Sequence, residues 1–455
     1  MALLDSLFRV EEAEAALTDR ARLQGMLDFE AALARAEATC GVIPKDAAAA
    51  IASKCDAAMF DFTALQINAA DAGNLAIPML QQLTALVAAD DVTAAGFVHW
   101  GATSQDAIDT GFVLQARVVL EGMSREIEQL CQAMAKLADA HRGTVMVGRS
   151  WMQHATPTTF GAKVAGWLDA LLRHRERWNE SRRRFLTLQF GGAVGNLSAL
   201  GNRGDSVAET LAIELGLGLP RLAWHSQRDR FAELATTMGL LTGTLGKIAR
   251  DISLHAQTEI GELREAAARG RGGSSSMPHK QNPVSCAVIL AAALRVPGLV
   301  STVLTAMVQE DERGLGGWQA EWETLPELLR LSAGALHHLR VALPGLEVDA
   351  TRMENNLEIT RGLIYAEAVT MALAAKIGKK EARQVVEQAC ARTSASQEHL
   401  RDVLLRAPRV SELFSVAEIS RLFEAREQLG NSNAVIDRVL AAAKSSAANF
   451  AVGGE

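Results

Sequence analysis

The feature that most constrains this chain is a set of apolar stripes too long for ordinary globular helices. Leu120, Met123, Ile127, Leu130, Met134 and Leu137 alternate spacings of three and four residues, the stripe of a helix buried along one side of a bundle. Phe160, Val164, Trp167 and Leu171 repeat it, as do Phe231, Leu234, Met238, Leu241, Leu245, Ile248 and Ile252. Segments 283–310 and 324–341 supply two more. Five such segments with no matching strand signal predict an all-α fold built on a five-helix bundle. Thr156 followed by Pro157 predicts an N-cap and first turn, so the second long helix is expected to open there. Helices this long bury only one face inside a five-helix bundle, so packing against further copies of the chain is expected.

The flanks read differently. Residues 1–110 look like short helices with breaks. One runs from about 22 to 39 and stops at Cys40-Gly41 and Pro44, Asp46 caps another, and Asn74 follows Gly73 in a turn. After about residue 345 the pattern shortens again, and 444–455 look frayed. Three domains are therefore expected, at 1–110, 111–345 and 346–455, as suits a chain of 455 residues.

A net charge of −7 argues against non-specific nucleic-acid binding. Five scattered cysteines without metal-ligand spacing predict a reduced, cytoplasmic protein with no metal. Met1 to Asp5 begins no signal peptide. Segment 283–310 comes nearest to a membrane span, but Arg295 and Pro297 interrupt it, so it reads as a buried bundle helix and no membrane partner is expected.

Between two of the long stripes lies Gly272-Gly273-Ser274-Ser275-Ser276-Met277-Pro278-His279-Lys280-Gln281-Asn282-Pro283, with Arg269 and Arg271 just upstream. Glycines let this stretch bend and the prolines end helical continuation. Three hydroxyls, a lysine and two amides make it donor-rich and cationic, suited to a small polyanion. The alternative, a plain Gly-Ser linker, does not account for the order of residues. Gly273, Ser274, Ser275, Met277, Pro278, Lys280, Asn282 and Pro283 resemble the signature of the fumarase/aspartase superfamily, which includes argininosuccinate and adenylosuccinate lyases. The resemblance implies that Ser274 moves a proton alpha to a carboxylate. It also implies that Ser275, Met277, Lys280 and Asn282 contact substrate, and that no cofactor is needed. A homotetramer with each active site assembled from three subunits follows from the same likeness.

Two further segments extend the resemblance. His99, Gly101, Thr103, Ser104, Gln105 and Asp106 match the first active-site segment, where Thr103 and Ser104 would donate to a carboxylate. Alternatively, these residues cap a helix starting near Asp109, and both roles can coexist because a helix N-terminus binds anions. Ser150, Trp151, Gln153 and His154 align with the second segment, in which Thr-His-x-Gln-x-Ala is usual. His154 could meet a third carboxylate or be satisfied by backbone. Arg313, in Glu310-Asp311-Glu312-Arg313, resembles a substrate-contacting arginine, with an ion pair to Asp311 or Glu312 as the alternative. His141 and His279 read as structural, and Gly191 to Gly195 as a tight turn.

The departure from the family is the informative part. Trp151 stands where the family has a histidine, and Ala287 where it has that histidine's glutamate partner. Losing one member alone would strand a buried polar group. Losing both implies chemistry with no proton relay at the leaving group. An amine needs such a proton, whereas a carboxylate is already ionised at neutral pH. The resemblance then points to the lactone-forming branch of the superfamily, which closes 3-carboxy-cis,cis-muconate in protocatechuate breakdown. An adenylosuccinate-lyase-like release of fumarate, or a non-catalytic structural paralogue, are the other readings.

Overall fold

The computed structural model describes residues 3–266 and 272–452, with side chains to residue 444. Arg269 and Arg271 lie outside the described residues. By packing, the chain divides into two compact units. Unit 1 comprises residues 1–127, 174–246 and 288–338, and unit 2 comprises residues 128–173, 247–287 and 339–455.

Helix α1, Asp19–Thr39, has Thr18 as its N-cap, accepting from Ala21 N, and ends at Cys40. Its Leu23, Met26 and Leu27 pack with Ile51, Met79, Leu83 and Val87 into an apolar core within unit 1. Asp46 lies in the first turn of the helix Lys45–Ala52 but does not cap it; Pro44 occupies the cap position.

Five long helices follow: α2 (Ser104–Ala140), α3 (Phe160–Phe185), α4 (Asp229–His255), α5 (Val284–Ala306) and α6 (Gly317–Ala342). At 37 residues, α2 is ~55 Å long. The all-α reading holds, with five long helices as the periodicity predicted. Within unit 1 they pack side by side. Phe231 of α4 meets Phe112 of α2 at 5.5 Å between ring centroids and Phe185 of α3 at 5.8 Å. His337 of α6 bonds Glu126 of α2 at 2.6 Å.

Three expectations need correction. First, residues 145–159 form an antiparallel hairpin, β1 (Val145–Ser150) and β2 (Gln153–Thr159). Helix α3 therefore opens at Phe160, and Thr159 Oγ1 takes the capping role by accepting from Ala162 N at 3.1 Å. Pro157 is tolerated opposite Val147 because each strand of a two-stranded ribbon is an edge. Second, α5 is one continuous helix across Pro297, as the bundle-helix reading has it, but its burial is only partial. An interior proline costs about 3 kcal/mol, offset here by flanking residues such as Val296 and Val303, both fully buried. Among the described residues α5 is long and apolar enough to cross a membrane. Arg295, however, pairs with Glu327 of α6 at 2.7 Å, the contact of a bundle helix. Nor is α5 wholly buried within one chain, since Leu294 is 81% exposed. Third, the helix Ser432–Val452 extends past residue 444, as its alanine content favours. In unit 2, Val369, Leu373, Val386, Leu400 and Leu404 form a separate core.

Candidate active site

In unit 1 the site elements are organised by one carboxylate. Helix α2 starts at Ser104, five residues earlier than the capping alternative supposed. Asp106, in its first turn, reaches back to accept from Thr103 N at 3.0 Å, which is half of a capping box. The same carboxylate also accepts from Gln189 Nε2 (3.0 Å), Gly191 N (3.1 Å), Gly192 N (3.0 Å) and His225 Nε2 (2.8 Å). Five donors on a fully buried carboxylate fix the turn Gly191 to Gly195 against the start of α2. That turn is spent on Asp106 and offers no dinucleotide site.

Arg313 belongs to this cluster. Its Nη2 donates to Thr103 Oγ1 at 2.8 Å and to Ala193 O at 3.0 Å. Among the described residues it makes no ion pair with Asp311 or Glu312, so the surface-pair alternative is not what occurs. Because Thr103 Oγ1 accepts from Arg313, its own proton is left to point elsewhere. Capping falls to Asp106, and the Thr103 hydroxyl and Ser104 stay at the helix N-terminus.

Below this cluster Arg228 is fully buried and spans two carboxylates, with Nη1 2.7 Å from Asp109 Oδ2 and Nε 3.1 Å from Glu321 Oε1. Burial would lower the guanidinium's pKa, but Asp109 and Glu321 raise it. Burial pushes Glu321 up against the opposing pull of Arg228. Trp318 Nε1 donates to Asp109 Oδ1 at 3.0 Å, so α2, α6 and the residue just before α4 are tied together.

Unit 2 carries the other expected residues. Gly272 has φ 75° and its carbonyl accepts from Asn282 N at 2.8 Å, closing the loop on itself. A Cβ at Gly272 would lie 2.9 Å from Asn282 O, so only glycine fits. Ser274 Oγ accepts from Ser276 N at 3.3 Å and Met277 N at 3.1 Å. Ser275, Met277 and Lys280 are exposed, and Lys280 has no hydrogen-bond or ion-pair partner among the described residues. Asn282 Nδ2 reaches Gly273 O at 3.4 Å.

The second segment caps the hairpin. Ser150 and Gln153 are exposed and pair across it. Trp151 and Met152 form its two-residue turn at φ 52° and 65°, 94% and 76% exposed. A turn with both central residues left-handed ordinarily takes Asn-Gly, so two bulky apolar residues there mark stored strain. His154, half-buried, faces Arg149 across the strands, and its Nδ1 has no partner among the described residues. Burial, then Arg149, lowers its pKa. Neither Trp151 nor Ala287 can relay a proton.

Sequence reasoning missed the polar groups that hold these segments. Glu262 accepts from Arg149 Nη2 (2.7 Å), His255 Nδ1 (2.6 Å) and Asn356 Nδ2 (2.7 Å). Burial would raise its pKa, but those bonds bring it down to about 2. His225, Arg228 and Glu262 could have been found as polar residues at or beside the ends of apolar stripes. No group of three or more potential metal-ligating side chains occurs among the described residues.

These features have counterparts elsewhere. A family model described as Lyase matches residues 9–298, and one described as adenylosuccinate lyase C-terminus matches residues 362–439. The chain belongs to this lyase family, the fumarase/aspartase superfamily. The 3-carboxy-cis,cis-muconate cycloisomerase of Pseudomonas aeruginosa is 53% identical over 439 residues, 96% of each chain. The enzyme of that name from Pseudomonas putida is 50% identical, over 92% of this chain and 99% of its own. The crystal structure of 3-carboxy-cis,cis-muconate lactonizing enzyme from Pseudomonas putida superposes with TM-score 0.94 at 48% identity, over 98% of this chain and 100% of that one.

Proposed function

We propose that this chain is an intramolecular lyase that closes 3-carboxy-cis,cis-muconate to 4-carboxymuconolactone in the cytoplasm. The observation that carries the reading is the double replacement. Trp151 and Ala287 occupy the two relay positions, while Ser274, Lys280 and Asn282 are all kept. A substrate carboxylate that is already ionised can attack a C=C bond without that relay. As its oxygen bonds to carbon, negative charge builds on the neighbouring carboxylate. Thr103, Ser104, Lys280, Asn282 and Arg313 are the donors that would meet it. Ser274 then delivers a proton to the carbon alpha to that carboxylate. Its Oγ already accepts two backbone N–H bonds, which favours the alkoxide left behind. Ser150, Trp151, Gln153, His154, Ser275 and Met277 would complete the pocket around the tricarboxylate. Tethering nucleophile and acceptor in one molecule supplies the proximity term.

The reading includes a homotetramer with each site drawn from three copies, around a central domain of residues 111–345 flanked by 1–110 and 346–455. Supporting it are apolar side chains that a lone chain leaves uncovered: Trp151 94%, Leu294 81%, Val308 85% and Leu315 85% exposed.

The test is direct. The protein is mixed with 3-carboxy-cis,cis-muconate, the diene absorbance is followed, and the product formed in deuterated water is read by NMR. Loss of the diene with one deuterium incorporated is expected. Inertness toward that triacid, with fumarate released from adenylosuccinate instead, overturns the reading.

A further inference from the structure

Four residues before Thr103, His99 adopts a left-handed backbone, φ 59°, a conformation that costs a non-glycine residue on the order of 1 kcal/mol. What holds it there is a carboxylate from another helix. His99 Nδ1 lies 2.7 Å from Oε1 of Glu30, whose side chain on α1 is 1% exposed. The other oxygen, Glu30 Oε2, has no partner among the described residues. A carboxylate in an apolar core with a single partner is weak support for stability, and an apolar side chain there would often serve the fold as well. Its place there is better explained by what it does to His99. The intervening loop is pinned at two further points. A Cβ at Gly101, φ 73°, would lie 2.8 Å from Leu200, and Thr103 N is held by Asp106. The backbone from His99 to Thr103 is thus fixed at its start, middle and end, and its end is the N-terminus of α2, a place that favours anions.

We propose that Glu30, acting through His99, is a positioning residue for the Thr103–Ser104 cradle that receives a substrate carboxylate. This deepens the function proposed above and rests on it for the identity of the substrate. The charged groups acting on His99 are Glu30 from α1 and Asp106 from α2. Burial alone would press its imidazole down, but Glu30, by charge and hydrogen bond, and then Asp106 raise it above its ordinary value. Glu37, further along α1, is pushed up to about 9 by burial and then by Glu30 and Cys40, so it is a neutral acid at neutral pH and adds no competing charge. Cys55, raised by burial and then by Glu30, is likewise neutral. The pair is charge-assisted while His99 is protonated, and that assistance is lost as pH rises through the folded-state pKa of His99.

The experiment uses the full-length protein with Glu30→Gln and His99→Asn variants. Three quantities are read: the imidazole 15N shifts of His99 against pH, the pH profile of kcat/KM on 3-carboxy-cis,cis-muconate, and the affinity for the inert triacid tricarballylate. Native His99 is expected to titrate above the ordinary imidazole value. Glu30→Gln should lower its titration point, move the alkaline limb of kcat/KM to lower pH, and weaken tricarballylate roughly tenfold, the scale of a lost charge-assisted hydrogen bond. A native His99 that titrates at or below the ordinary imidazole value, or a Glu30→Gln protein with unchanged pH profile and triacid affinity, overturns the proposal. If Glu30→Gln does not fold, the native titration and the His99→Asn affinity decide instead. Should the muconate be inert while tricarballylate affinity still falls in the variants, the function fails and the positioning role stands.

Discussion

The Asp106 hub and the loop 272–283 use hydrogen bonds in opposite ways. Asp106 is fully buried and accepts five donors from three separate stretches of unit 1, so nothing on it is left over. The loop closes through Gly272 and Asn282 and leaves Ser275, Met277 and Lys280 exposed. Lys280 has no partner among the described residues. A saturated network fixes geometry before any ligand arrives. An unsaturated one keeps its donors for the ligand and gains its order by binding. The two clusters therefore differ in kind: one presents donors already fixed, the other leaves an exposed lysine uncommitted.

That contrast can be broken experimentally. The largest effect is expected at the loop. Ser274→Ala should cut kcat on the muconate by roughly 10²–10⁴-fold, the usual contribution of positioned acid–base catalysis, while the urea midpoint stays at the native value. A large loss of stability would show the loop to be structural after all. Arg228→Met tests the opposite side. It strands Asp109 and Glu321 in the core, and breaking a buried ion pair costs about 3–5 kcal/mol, measurable by urea unfolding.

Glu262 sharpens the comparison within unit 2, which holds both this pinned carboxylate and the open loop. Its pKa falls from 4.5 to about 2 on folding. A depressed carboxylate stabilises the fold above its unfolded pKa, and that stability is lost as pH falls from about 4.5 through about 2. The loss is about 3 kcal/mol and should be absent in Glu262→Gln, as read by unfolding at pH 6 and pH 2.5. The smallest effect is at the cap of α3. Thr159→Ala should cost about 1 kcal/mol, whereas Thr156→Ala should cost almost nothing if the helix opens at Phe160. Thermal melts distinguish them.

Much of this was legible beforehand, for reasons that differ by element. The long helices were, because a stripe such as Leu120 to Leu137 has one period and one interpretation. The loop was, because its order of residues is more specific than its composition. The hairpin was not. Thr156-Pro157 is a good helix start locally, and only pairing with Val145 to Val147 turns it into a strand. Nor were Glu30, Arg228 and Glu262 as anchors, since a sequence shows that a charge lies beside an apolar stripe but not which partner neutralises it. Segment 283–310 was legible as a helix in spite of Pro297, but how much of it one chain leaves uncovered was not.

The hairpin tip has a consequence for how such a protein behaves when scarce. Two large greasy side chains are held out at its end on a backbone conformation they resist, so a solitary chain has reason to hide or rearrange that tip. Meeting other copies would remove both difficulties at once. In the assembly proposed above, catalytic output per molecule should therefore fall away on dilution, and recover when the stock is concentrated again.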